Sequence, residues 1–191
     1  HRTRPDHDPK HPVHVVLRVT RDVSSLRTRH AYRAIRRAVD RCRARSDFRI
    51  AHMSIQSNHV HLLVEADSKE ALTRGMQGFA VSAAKRLNRE LHRARGDVFA
   101  YRYHATAITS PTQARNAVSY IVNNWRHHGC DRYCSWRTDP YSSAHAVAGW
   151  HVEARPDRLP VVRPTTWLLR DGYERAGPVE PDEVPGPDPR P

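Results

Sequence analysis

The segment "FRIAHMSIQSNHVHLLVE", residues 48–65, contains two runs of alternating side chains separated by the polar pair Ser57 and Asn58. Alternation with a period of two is typical of strands, and a short polar break between two such runs indicates a turn. The segment therefore predicts a hairpin of two antiparallel strands, around which the rest of the domain can be placed.

The second strand of this hairpin carries two histidines on one face. Because successive side chains of a strand point to opposite sides, His59 and His61 share one face while Val60, Leu62 and Val64 share the other. The apolar face is expected under the helices of the domain. The two imidazoles are then expected to project from the face that the helices leave uncovered.

The flanking sequence alternates between strand-like and helix-like patterns. In chain order, the predicted elements are a strand in 12–20, a helix in 24–45, the hairpin in 48–65, a helix in 68–95, a strand in 98–109 and a helix in 110–129. Ser68 and Ser110 are expected N-caps, and Gly129 is the expected end of the third helix. This order predicts an α+β fold: a ferredoxin-like or RRM-like antiparallel sheet with helices on one face, plus a C-terminal extension.

Composition divides the chain into four parts. We expect a flexible basic arm in residues 1–10, a folded domain in 11–130, an extension in 131–175 and a disordered, proline-rich acidic tail in 176–191. Aromatic residues in 131–175 favour an extension that packs on the domain or contacts nucleic acid.

The charge of the chain indicates its partner class. The formal net charge is +12 over 191 residues, and all but three of the 32 basic residues are arginine. Such a field attracts polyanions, and guanidinium groups match phosphate oxygens in pairs. A GC-rich coding bias would explain the preference for arginine over lysine but not the net charge. Nucleic acid is therefore the expected partner.

Compartment follows from what the sequence lacks. No apolar run is long enough to span a membrane, and no basic-then-apolar leader is present, so we expect a cytoplasmic protein without membrane contact. The three cysteines, Cys42, Cys130 and Cys134, have no framework spacing and are expected to be reduced thiols.

The histidine pair and the third helix contain candidate metal ligands. His59 and His61 could converge on one divalent metal, or they could be a solvated pair on an open strand. Tyr120 lies outside the apolar stripe of its helix, and Asn124, one turn later, could give an amide oxygen to the same metal. Alternatively, Tyr120 is a surface tyrosine that makes one hydrogen bond.

A second group of potential ligands follows the third helix. His127, His128, Cys130 and Cys134 are zinc-type ligands, but their spacing fits no established zinc pattern. A helix end followed by a loop is the preferred interpretation.

Two motifs resemble those of a known family. "SNHVHLLVE" (57–65) followed by "NAVSYIVNN" (116–124) is similar to the HUH single-tyrosine transposases, in particular the REP-associated tyrosine transposases with their IS200-like domain. The resemblance runs from about residue 11 to 129 and implies that 11–130 is a catalytic domain that cuts single-stranded DNA. By resemblance, His59 and His61 bind Mg²⁺ or Mn²⁺, Asn124 completes the metal site, and Tyr120 is the nucleophile.

The resemblance also implies nucleic-acid contacts. "FAYRYHA" (99–105) is similar to the family's "RYH" strand, and the full set of predicted nucleic-acid-binding residues is Arg18, Arg102, Tyr103, His104, Arg115 and Arg126. The exposed aromatics of this strand could stack on bases. One departure is that Asn124 is followed by Trp125 and Arg126, where family members commonly have proline and valine.

Three functions are therefore compared. The first is a metal-dependent tyrosine transposase that nicks and joins single-stranded DNA at hairpins, acting as a monomer or homodimer. The second is a non-catalytic protein that binds DNA or RNA hairpins, and the third is a metal-dependent phosphodiesterase that uses water. Only the first requires Tyr120.

Overall fold

The computed structural model describes residues 6–93, 96–132, 134–152 and 156–186. Its strands are β1 (Val13–Arg18), β2 (Phe48–Ile55), β3 (His59–Ala66) and β4 (His104–Ala107), and its helices are α1 (Arg29–Cys42), α2 (Lys69–Glu90) and α3 (Pro111–His127). Each predicted element is found, although the fourth strand is shorter than its predicted range. Residues 1–5 of the predicted arm, 94–95 of the second predicted helix and 187–191 of the predicted tail lie outside the described residues.

The four strands form one antiparallel sheet with the order β2-β3-β1-β4. The central pair brings Arg18 opposite His59 and Val16 opposite His61. The element order β-α-β-β-α-β and this sheet confirm the predicted α+β, ferredoxin-like class.

The hairpin of β2 and β3 closes where the polar pair predicted it. The Gln56 amide donates to the His59 carbonyl at 2.9 Å, which pairs the two residues across a two-residue loop of Ser57 and Asn58. Ala51 is an extra residue in β2, because the register with β3 shifts between Ile50 and His52. This bulge turns Ile50 toward the same core as Met53, and Ala51 toward the opposite one.

Helices α1 and α2 cover the face of the sheet that carries Val60, Leu62 and Val64. Thr28 caps α1 by accepting from the Ala31 amide at 3.3 Å, and Ser68 caps α2 as predicted. The buried sides of both helices are apolar, so this layer forms the larger core of the molecule.

Helix α3 lies on the other face of the sheet, which corrects the prediction that the helices cover one face only. Its apolar residues Ala114, Val118 and Ile121 pack with Ala51 and Leu63, which lie on the histidine face. The stripe needs an apolar partner, and the first face is already filled by α1 and α2. The histidine face is therefore not bare.

The extension is held to the domain by polar contacts at two ends of the sheet. Arg27 makes a two-pronged ion pair with the buried Asp139, with N–O distances of 2.8 and 3.0 Å. Glu65, at the other end of β3, accepts hydrogen bonds from the backbone and hydroxyl groups of both Thr165 and Thr166. These contacts fix Asp139 near the hairpin end of the sheet, and Thr165 and Thr166 at the end of β3.

Across the described ranges, no helix is long and apolar enough to cross a membrane.

Candidate active site

The two imidazoles of β3 face each other closely. The Nε2 atoms of His59 and His61 are 2.8 Å apart, and the ring centroids are 4.6 Å apart at an interplanar angle of 83°. Both side chains are buried, with 8% and 4% of the residue exposed. The alternation of the strand thus brings one nitrogen atom of each ring to the same point.

Each of these rings has a second polar neighbour on its other nitrogen. The Nδ1 atom of His59 is 2.7 Å from the amide oxygen of Asn58, and the Nδ1 atom of His61 is 3.0 Å from Nε2 of His14 on β1. The four side chains form one row: Asn58, His59, His61 and His14.

Tyr120 lies at the His61 and His14 end of this row. Its ring centroid is 5.1 Å from that of His61 and 5.9 Å from that of His14, both edge to face. The tyrosine is half-buried against α3's own core. The structure therefore brings Tyr120 next to the histidine pair, which lies 59 positions or more earlier in the chain.

Asn124 and His128, one and two helical turns after Tyr120, lie beside the same pair of histidines. Asn124 is fully buried, and neither its amide oxygen nor its amide nitrogen has a hydrogen-bond partner among the described residues. His128 caps the end of α3, and its ring lies 5.8 Å from that of His59. Asn124 thus lies on α3 between a residue next to His61 and a residue next to His59.

Burial controls the protonation of these groups. Desolvation, reinforced by neighbouring imidazoles, lowers the pKa of His59 to about 4 and that of His61 to about 2. Desolvation likewise lowers the pKa of His14 to about 4. All three rings are neutral at pH 7, so each offers one nitrogen lone pair. Burial raises the pKa of Tyr120, which keeps its phenol protonated.

These residues fit a divalent metal. Two imidazole nitrogens separated by 2.8 Å, with a buried amide of Asn124 that lacks partners, are the donor types that a hard or borderline cation accepts. Over the described ranges, no group of three or more histidine, cysteine or carboxylate side chains could hold a metal. An oxygen donor such as Asn124 would therefore have to supplement the imidazoles.

The predicted nucleic-acid contacts divide into two groups. Arg18 lies exposed opposite His59, and Arg102 and His104 are exposed at β4. In contrast, Tyr103 packs against the core on the α1 and α2 side. Arg115 and Arg126 are bound by the segment 178–183: Arg115 pairs with Glu183 and contacts the Pro178 carbonyl, and Arg126 donates to the Pro181 carbonyl at 3.1 Å.

From the sequence, Asn58 was expected only in the hairpin turn, and His128 only at a helix end or in a zinc group. His14 was assigned no chemical role from the sequence. The signal for His14 was available in part, because alternation places it on the histidine face. Its bond to His61 depends on the register of β1 against β3, which the sequence does not specify.

The chain belongs to the family described as "Transposase IS200 like", whose model matches residues 9–124. Among solved structures, it is similar to a REP-associated tyrosine transposase bound to a REP hairpin, at a TM-score of 0.61 and 17% sequence identity. That match covers 85% of this chain and 99% of the other and supports the shared fold. A search of curated protein sequences found no significant match.

Proposed function

We propose that this chain is a single-stranded DNA endonuclease and strand transferase that cleaves at or near hairpins through a covalent phosphotyrosine. The observation that carries the proposal is the position of the Tyr120 ring 5.1 Å from the His61 ring. The family match supports transposition as the setting, and the hairpin bound by the similar solved structure supports hairpin DNA as the substrate class.

Metal binding and nucleophilic attack are assigned to different residues. His59, His61 and Asn124 would hold Mg²⁺ or Mn²⁺, which when bound supplies Lewis-acid activation of a phosphate oxygen. The Tyr120 oxygen forms a bond to phosphorus while the bond from phosphorus to one sugar oxygen breaks. The phenol gives its proton to water, and the released sugar oxygen takes up a proton from water. The phosphotyrosine retains the energy of the broken bond, so a second DNA end can displace the tyrosine and be joined.

Arg18 is an exposed cation beside this site. It lies opposite His59, and its charge lowers the pKa of that histidine. A guanidinium at this position would attract the phosphate backbone toward the imidazole pair. Arg102 and His104 at β4 would extend the contact along the strand of DNA.

The deciding experiment compares wild type with Tyr120→Phe. Each protein is incubated with a DNA hairpin that has a single-stranded flank, with Mn²⁺, and the products are separated under denaturing conditions. We expect wild type to form a protein–DNA adduct, and Tyr120→Phe to lose adduct and cleavage by roughly 10³-fold or more while still binding the hairpin. Tyr173→Phe, which removes a phenol in the extension, is the control and should behave like wild type.

Other results would contradict the proposal in distinguishable ways. Cleavage by Tyr120→Phe at the wild-type rate would indicate hydrolysis by water. Hairpin binding by wild type without cleavage or adduct would indicate a binding protein. An adduct that persists in Tyr120→Phe would assign the nucleophile to another residue.

A further inference from the structure

The row of side chains formed by Asn58, His59, His61 and His14 contains three hydrogen-bond contacts, at 2.7, 2.8 and 3.0 Å. A neutral imidazole has one N–H donor and one lone pair, so the contact on one nitrogen determines what the other nitrogen can do. The direction of the hydrogen bond at each Nδ1 atom therefore determines whether Nε2 of the same ring carries a hydrogen or a lone pair.

Asn58 determines the tautomer of His59. An amide oxygen only accepts, so the contact of Asn58 Oδ1 with His59 Nδ1 requires the hydrogen on Nδ1. Nε2 of His59 is then a lone pair directed at His61. If the amide of Asn58 turns by 180°, its NH₂ group favours the other tautomer, in which His59 Nε2 carries the hydrogen. The orientation of the amide therefore decides the tautomer, and the orientation in the structure selects the hydrogen on Nδ1.

His14 can have the same effect on His61, because its Nε2 atom accepts a hydrogen bond in one of its two tautomers. When His14 Nε2 accepts from Nδ1–H of His61, Nε2 of His61 is also a lone pair. Two lone pairs 2.8 Å apart repel each other unless a cation lies between them. When His59 and His61 both donate from Nδ1, to Asn58 and His14 respectively, both Nε2 lone pairs are available to a cation.

We infer that Asn58 and His14 are positioning residues that set the tautomers of His59 and His61 for metal binding. This inference rests on the proposed function and deepens its metal site. Hydrogen bonds to the second nitrogen of a ligand histidine fix its orientation and increase its basicity, and their loss commonly costs 10- to 100-fold in metal affinity.

The experiment measures Mn²⁺ affinity of the full chain without DNA, by the electron paramagnetic resonance signal of free Mn²⁺. We expect about a 10-fold or greater loss of affinity in His14→Phe and in Asn58→Leu. His14→Gln should recover most of the affinity, because its amide oxygen can accept from His61. His11→Phe, which removes an imidazole three residues earlier, should bind Mn²⁺ as wild type does.

A variant that binds Mn²⁺ more tightly than wild type tests the inference independently of folding, because a folding defect could only weaken binding. Asn58→Asp places an acceptor-only carboxylate on His59 Nδ1, so we expect tighter binding than wild type. Ser57→Asp adds the same charge one residue earlier without a bond to the ring, and should give the smaller gain. In addition, ¹⁵N spectra of the histidines with Mg²⁺ should show Nδ1–H tautomers for His59 and His61.

The outcomes separate this inference from the proposed function. If His14→Phe and Asn58→Leu bind Mn²⁺ as tightly as wild type, or if Ser57→Asp equals Asn58→Asp, the inference is overturned while the proposed function stands. A wild-type chain that binds no Mn²⁺ would overturn both the inference and the proposed metal site.

Discussion

Asn123 and Asn124 are adjacent buried amides on α3 with different surroundings. Asn123 donates from Nδ2 to the Glu180 carbonyl at 2.8 Å, whereas both polar atoms of Asn124 lack partners among the described residues. A buried polar group without a partner costs roughly 1–3 kcal/mol. Such a cost is tolerable where the group serves a ligand, which agrees with the proposed metal role of Asn124.

Replacing Asn124 by leucine separates stability from metal binding. Leucine has a similar volume and no polar atom, so we expect the metal-free melting temperature of Asn124→Leu to be unchanged or higher. The rise in melting temperature that Mn²⁺ causes in wild type should disappear. Thermal unfolding with and without Mn²⁺ measures both effects.

The matched control is Asn123→Leu, which loses a hydrogen bond and should melt lower by the equivalent of about 1 kcal/mol while keeping its response to Mn²⁺. A metal-dependent rise that survives in Asn124→Leu would contradict the ligand role of Asn124.

At this scale, the sequence predicted which side chains share a face but not which atoms touch. Alternation put His59 and His61 on one face of β3, and helical spacing put Tyr120 outside the apolar stripe of α3. Neither pattern indicated that α3 lies over the histidine face. The bond between His61 and His14 needed the strand register. The ion pair between Arg115 and Glu183 could not be predicted, because no local pattern shows where a segment 68 residues later in the chain will pack.

Helix α2 contains two glycines three residues apart, and the structure gives them opposite roles. A methyl group on Gly75 would lie 2.2 Å from the ring of Phe48, which is almost fully buried in β2. A methyl group on Gly78 would meet no atom within 4 Å. The sequence could only indicate that both glycines weaken the helix, since close packing against β2 is a tertiary contact.

Two alanine substitutions test this difference. Gly75→Ala should lower the free energy of unfolding by at least about 1–3 kcal/mol, because the Phe48 ring must move within a packed core. Gly78→Ala should raise it by roughly 0.5–1 kcal/mol, because alanine favours an exposed helix position. Urea unfolding of both variants gives the comparison, and equal effects of the two substitutions would disprove the assignment.

Elements that depended on tertiary partners were predicted less well than those with local signals. The caps Ser68 and Ser110 and the hairpin turn were found from sequence because their hydrogen bonds are made within a few residues. The bulge at Ala51 and the position of α3 on the histidine face depend on how apolar surfaces match across the whole domain.

At the scale of the whole molecule, His52 joins the sheet to the extension. Its Nδ1 atom is 3.3 Å from the Ser143 hydroxyl, which also accepts from the Met53 amide at 2.9 Å. Desolvation, together with the charge of His145, lowers the pKa of His52 to about 4, against the weaker opposing effect of Glu65. The folded state therefore favours the neutral imidazole at this contact.

Acid should weaken the molecule through this residue. Below pH 6.5 the unfolded chain binds a proton at His52 that the folded chain does not, so the folded state loses stability as the pH falls from 6.5 toward 4. Linkage gives a loss of about 2 kcal/mol at pH 5 from this one group. Urea unfolding of wild type and His52→Gln at pH 7 and pH 5 measures it.

The variant should be less stable than wild type at pH 7 and should lose less stability between pH 7 and pH 5. His151→Gln, which changes an exposed histidine of the extension, should follow wild type at both values. An identical pH dependence in wild type and His52→Gln would contradict the assignment.

The position of α3 over the sheet determines how a polymer could reach the imidazoles. Because α3 and the extension cover β2 and β3, these strands do not offer an open sheet surface on which bases could stack. The margin at β4, where all four residues are exposed, is the free side. In the proposed function, a nucleotide chain would reach the imidazoles from the β4 edge of the sheet. Flexible unpaired DNA could follow this path, whereas a stiff duplex would be excluded before the cleavage step.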